Sequence, residues 1–191
     1  MSDERTKGQA DTKAETEDSA QADFKKGKEL RGAGDLAGAA ACFHNALVGF
    51  EQKGNDRGVA NASDQLGDLC VSRNEHAKGL DHYLRAYGIC DRENDMFSLV
   101  ALQKKMAAAR KSLKQYDEAV KSYLEVIDIY AEHKNPAGTV AAMEELAALY
   151  LEMDRAQKAA DTYRTIASIH RNFSHSLQEQ EFLARAAEVD K

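Results

Sequence analysis

A period of 40 residues governs this chain. Ala39, Gly79, Ala119 and Ala159 stand 40 apart, and four residues after each comes an aromatic: Phe43, Tyr83, Tyr123 and Tyr163. Three residues further on lies Ala46, Ala86, Val126 or Ile166. A second register runs upstream through Gly27, Gly67, Ala107 and Ala147. Leu66, Met106 and Leu146 precede three of these, and Lys26 precedes the first. Spacings held over four copies mark a repeat architecture, in which each unit is one supersecondary element that touches only its neighbours.

Each unit reads as two helices. In the third, Leu99, Leu102, Met106 and Ala109 recur at three- and four-residue steps, which is one face of a helix. After a polar turn at Lys114-Gln115, the residues Ala119, Val120, Tyr123, Val126, Ile127 and Tyr130 give a second helical face. The turns inside units are short: Gly32-Ala33-Gly34-Asp35, Arg73-Asn74-Glu75 and Met153-Asp154-Arg155. Longer connections are expected between units, at Lys53-Gly54-Asn55-Asp56, Arg92-Glu93-Asn94-Asp95 and Lys134-Asn135-Pro136. Gly54 suits the left-handed position that ends a helix. Asn94 or Asp95 suits an N-cap, and Pro136 suits a helix start. Almost no segment alternates with period two, so no sheet is expected.

The small residues have a packing role. Antiparallel helices approach closely only where one leaves room for the other's backbone or ring. Gly27, Gly67, Ala107 and Ala147 are expected to leave that gap, and the aromatic of the second helix to fill it. A lone hairpin cannot bury its apolar stripe, whereas stacked hairpins share a continuous core.

These residues resemble the tetratricopeptide repeat (TPR), whose pattern is W-x2-L-G-x2-Y followed by A-x3-F-x2-A. The second unit carries Leu66-Gly67-x2-Cys70 and Gly79-x3-Tyr83-x2-Ala86. The first carries Gly27-x2-Leu30 and Ala39-x3-Phe43-x2-Ala46. The family's tryptophan is absent, and Pro136 is the one proline. The usual period is 34; a period of 40 is similar to the long-repeat subtype of kinesin light chains, spindle-orientation adaptors and bacterial peptide-sensing regulators. The resemblance implies an all-α fold, a right-handed α-α superhelix (solenoid). Its four TPR hairpins would lie at about 20–59, 60–99, 100–139 and 140–173, and a capping helix at 174–191. In that last helix Leu177, Phe182, Leu183, Ala186 and Val189 are expected to cover the final unit, with Gln178, Glu179, Gln180, Arg185 and Glu188 in water. Residues 1–19 are polar and aperiodic, and a disordered tail is expected there.

Composition narrows the function. The net charge is −6, from 26 Lys+Arg against 32 Asp+Glu. That balance argues against a nucleic-acid partner and against a polybasic membrane surface. No apolar run is long enough for a membrane span or a secretory leader, so no membrane insertion and a cytoplasmic location are expected. Cys42, Cys70 and Cys90 form no CxxC pair and read as buried thiols in a reducing compartment. There is no phosphate-cradling loop, no dinucleotide fingerprint and no HExxH. His76 and His82 are six apart and His170 and His175 five apart, off the three- or four-residue spacing that sets two rings on one helical face. No enzyme activity, catalytic residue, metal or cofactor is expected.

In TPR proteins the first helix of each unit lines the concave face, and the resemblance carries those positions across. The first unit contributes Gln21, Phe24, Lys25, Lys28 and Arg31; the second Asn61, Asp64, Gln65, Asp68 and Val71. The third contributes Ala101, Lys104, Lys105, Ala108 and Lys111; the fourth Ala141, Glu144, Glu145, Ala148 and Leu151, with Glu152 beside them. The charges alternate: basic, acidic, basic, acidic. Either neighbouring units pair their own charges, or the bands read a partner peptide carrying both signs. Lys104 and Lys105, as a loose lysine pair, are the strongest candidates. The carboxylate clamp of chaperone-binding TPR proteins is not matched: Phe24, Lys28, Gln65 and Ala101 stand at four of its positions, and Lys105 alone is suitable. The expected function is a protein–protein interaction adaptor holding a partner's peptide or helix in the groove. The alternatives are a self-assembling homo-oligomeric scaffold, favoured if Phe97, Phe173 or Phe182 is exposed, and a peptide-responsive regulator.

Overall fold

The computed structural model describes residues 19–190, and every regular element among them is a helix. These are α1 (19–32), α2 (Leu36–Gln52), α3 (Asp56–Ser72), α4 (His76–Glu93), α5 (Met96–Ser112), α6 (Tyr116–Glu132), α7 (Pro136–Glu152), α8 (Ala156–Asn172) and α9 (Ser176–Val189). The tail expected over 1–19 lies, Ser19 apart, outside the described residues; Ser19 is helical. No described helix is long and apolar enough to cross a membrane. The described residues form two compact units, one ending at Leu102 and the other beginning at Gln103.

The turns reveal a period of 20 inside the period of 40. Gly34, Gly54, Asn74, Asn94, Lys114, Lys134, Asp154 and Ser174 all have positive φ. The N–H of the residue after each donates to a carbonyl five residues back, from Asp35 to Leu30 through His175 to His170, at 2.8–3.0 Å. This is the six-to-one bond of a Schellman motif, which satisfies a carbonyl the helix end leaves free. Gly54 is left-handed as expected. The connections between units, however, are no longer than the turns within them. The length of the repeat resides instead in helices that mostly run 17 residues.

The helix starts follow from the same turns. Asp35, Asn55, Asp95 and Asn135 each accept from the backbone N–H three residues on, in Gly38, Gly58, Ser98 and Gly138. Asn94 takes the left-handed position, so the cap of α5 falls to Asp95. Pro136 opens α7, where its missing N–H is no loss.

In the first unit α2 packs on α3, and α3 on α4. A Cβ on Gly27 would sit 2.7 Å from the Phe43 ring, and one on Gly67 2.4 Å from that of Tyr83. The expected gap and its filling ring are therefore both present. Phe24 packs against Phe43 and Phe50, with ring centroids 5.5 and 6.2 Å away.

In the second unit α6, α7, α8 and α9 pack in sequence. One cluster joins Ala107, Tyr123, Leu146 and Tyr150; another joins Ala147, Tyr163, Ile166, Phe182 and Ala186. The apolar face of α9 is narrower than expected. Phe182 and Ala186 are buried and Val189 partly so, but Leu177 is 78 % and Leu183 40 % exposed. Leu177 lies in the first turn of α9, ahead of the buried residues, as Phe97 does in α5 at 92 % exposure. Leu183 is one residue round the helix from the packed Phe182 side.

Candidate partner-binding face

Each unit gathers its own share of the predicted face. In the first unit Lys25 and Lys28 are exposed and line a shallow groove of about 580 Å³ along α1, with Phe24 half-buried beside them. The packing of Phe24 on Phe43 and Phe50 makes it part of the floor. At the end of α1 the Arg31 guanidinium meets Asp68 of α3 at 3.3 Å. The Tyr83 hydroxyl donates to the other Asp68 oxygen at 2.9 Å. Burial first, and then the Asp68 charge, push the Tyr83 hydroxyl well above the ordinary tyrosine range. Gln65 donates to Asp64 at 3.4 Å. Asn61 and Asp64 also edge a pocket of about 70 Å³, with Ala60, Ala86, Cys90 and Ala101 among its walls.

In the second unit the first helices are joined by a row of ion pairs. Lys104 of α5 meets Glu145 of α7 at 2.8 Å, and Lys111 meets Glu152 at 2.5 Å. Glu144 of α7 meets Arg185 of α9 at 3.0 Å. All three pairs have the same offset of 41 residues. Tyr123 is pushed up to about 12, by burial first and then by Glu145.

One expectation changes here. Lys104 is not loose, since it holds Glu145, and Lys105 is not without an interaction either. Within the second unit, position i of one first helix faces position i+41 of the next, which brings opposite charges together. Arg185 is exposed, as expected from its place on α9, and it also extends this row. Its guanidinium also lies over the rings of Tyr163 and Phe182, at 5.4 and 5.1 Å. The signal that finds it is the acid at 144 with a base 41 residues on.

The profile of the SNAP family, the soluble NSF attachment proteins, matches residues 6–134. The chain belongs to the SNAP family. No curated protein matches it. Among solved structures, this SNAP-family chain is similar to the nearly identical TPR-like repeats of a putative kinesin light chain from Podosopora anserina. The identity is 16 %, the match covers 89 % of this chain and 86 % of that one, and the TM-score is 0.69. The apo form of RapI matches at 13 % identity and TM-score 0.69, over 86 % of this chain and 60 % of RapI. A Rap protein complexed with competence and sporulation factor matches at 18 % identity and TM-score 0.63, over 88 % of this chain and 46 % of that one. This chain thus spans only about half of that Rap protein. At these identities the likeness shows the fold, an all-α solenoid of TPR-like repeats, as the sequence resemblance implies.

Proposed function

We propose that this SNAP-family chain is a non-catalytic adaptor that holds a peptide or helix of a partner protein along the face of its first helices. The observation that supports it is the row of ordered, half-exposed charges on that face: Lys104, Lys111 and Arg185 against Glu145, Glu152 and Glu144. Exposed ion pairs contribute only about 0–1 kcal/mol each, so the fold does not depend on them. A partner carrying both signs exchanges them pair for pair, which fixes its register more than it raises its affinity. Lys25, Lys28, Asn61 and Asp68 supply the corresponding contacts in the first unit. The family is named for attachment to NSF, and one Rap neighbour is described in complex with a factor. Attachment to another protein is the part carried over, and NSF is the first partner to test. A cytoplasmic setting belongs to the proposal, since free Cys42, Cys70 and Cys90 suit a reducing compartment.

The test is a paired pull-down with the native chain and with Lys104→Glu/Lys105→Glu, after circular dichroism shows equal helix content. A protein retained by the native chain and lost from the variant supports the adaptor reading. Equal retention by both overturns the role of this face. A second reading, self-assembly, is favoured by Phe97 and Phe173, which are 92 % and 53 % exposed. It requires a mass that grows with concentration in light scattering and falls back in Phe97→Ser.

A further inference from the structure

All eight turns place residue i+5 over the carbonyl of residue i, across one left-handed residue. That geometry also brings the two side chains together. Cys70 is raised by burial and then by Glu75, five residues on; Cys90 is raised by burial and then by Asp95, also five residues on. In the turn between α8 and α9 the two positions are His170 and His175. Their Nδ1 atoms are 3.4 Å apart and share a hydrogen bond, one neutral ring donating and the other accepting. Five residues is the wrong spacing for one helical face, as the sequence reading has it, but the right one for two side chains to meet through this turn. Among the eight turns this one alone carries two imidazoles at those positions.

The rings are held on both sides. His170 stacks on Phe182, with centroids 5.5 Å apart and planes 10° apart. His175 stacks on Phe173 at 6.1 Å and 28°. The backbone bond from His175 to His170, at 2.9 Å, fixes the turn between them. His175 gives α9 no side-chain cap bond, so its ring is not committed to the helix end. The nearby Arg171 cation is answered by Glu179 at 2.6 Å. Metal–nitrogen bonds of 2.0–2.1 Å at a tetrahedral angle set two ligand nitrogens about 3.3 Å apart. The observed separation is close to that bite, and a bound ion takes the place of the hydrogen between the two nitrogens, which moves to Nε2 of its ring.

We propose that His170 and His175 bind a divalent transition metal of the zinc class through their Nδ1 atoms. No group of three His, Cys, Asp or Glu residues is assembled for a metal among the described residues. The described residues therefore supply two ligands, and water takes the remaining positions. Imidazole pairs suit Zn²⁺, Ni²⁺ and Cu²⁺ over the hard cations. The ion ties the end of α8 to the start of α9, the helix that seats Phe182.

The experiment is calorimetric titration of the untagged full chain with Zn²⁺, together with thermal unfolding with and without the ion. The variants are His175→Asn and His170→Tyr. Asn135 and Tyr130 already occupy these positions one repeat earlier, so the turn tolerates both. The native chain is expected to bind one Zn²⁺ saturably and to melt higher with it. Each variant is expected to bind at least about tenfold more weakly and to show no shift in melting. No saturable binding by the native chain, or native affinity in either variant, overturns the site.

Discussion

Gly67 lies so close to the ring of Tyr83 that a single methyl group has nowhere to go. The ring is buried and its hydroxyl is tied to Asp68, so it cannot swing aside. Gly67→Ala is expected to cost about 1–3 kcal/mol, the usual range for overpacking. Urea unfolding checks this, as a lower midpoint with an unchanged slope. The same ring-and-gap logic was legible in the sequence, because both partners recur at a fixed spacing. The engagement of Lys104 was not, since its partner lies 41 residues away and meets it only once the repeat has turned. The tyrosines give a second test at this scale. An unfolded tyrosine ionises near 10, whereas Tyr123 stays neutral to about 12. Its contribution is therefore complete below about pH 10 and lost as pH rises through 12. In an absorbance titration, Tyr83 and Tyr123 should ionise only as helix content falls. Ionisation of all seven tyrosines near 10 with the helices intact would contradict this.

At the scale of the element, the left-handed turn residue sets where each helix stops. Gly54 announced it, but the six later turns carry Asn, Lys, Asp or Ser, so the period of 20 stayed hidden behind the period of 40. A non-glycine residue there crowds its Cβ against the backbone, at about 1–2 kcal/mol. Lys114→Gly is expected to raise stability by up to about 1 kcal/mol, once the added freedom of the unfolded chain is subtracted. Chemical denaturation checks the sign, and a loss would show that the turn carries no strain. Asp95 tests the other end of a helix. It accepts from the Ser98 hydroxyl at 2.7 Å and from the Ser98 N–H at 3.2 Å. These bonds, the hydroxyl first, hold its carboxyl below the usual carboxylate range. Its contribution is thus full above about pH 4 and fades as pH falls through the lowered value. Asp95→Ala is expected to cost about 1 kcal/mol at neutral pH. Between neutral and acid pH it should also lose less stability than the native chain, as followed by urea unfolding at each pH.

At the scale of the whole molecule, a run of like helices and like turns lets the face of each unit repeat its chemistry from one first helix to the next. The fold was readable from spacing, because packing of small residue on ring recurs wherever the helices do. The face was readable only in part. Its residues could be carried across by resemblance, but the internal pairing of their charges depends on how successive helices face one another. The central claim is that this paired row also serves a partner, and a charge swap separates the two roles. Lys104→Glu with Glu145→Lys keeps an ion pair at that place and reverses its direction. The measurement is the affinity of the swapped chain for the partner recovered by pull-down, set beside its urea midpoint. The account predicts an unchanged midpoint with an affinity at least about tenfold weaker, the loss of roughly 1.4 kcal/mol of binding energy. An unchanged midpoint with undiminished affinity would contradict it, because the charges would then serve only each other.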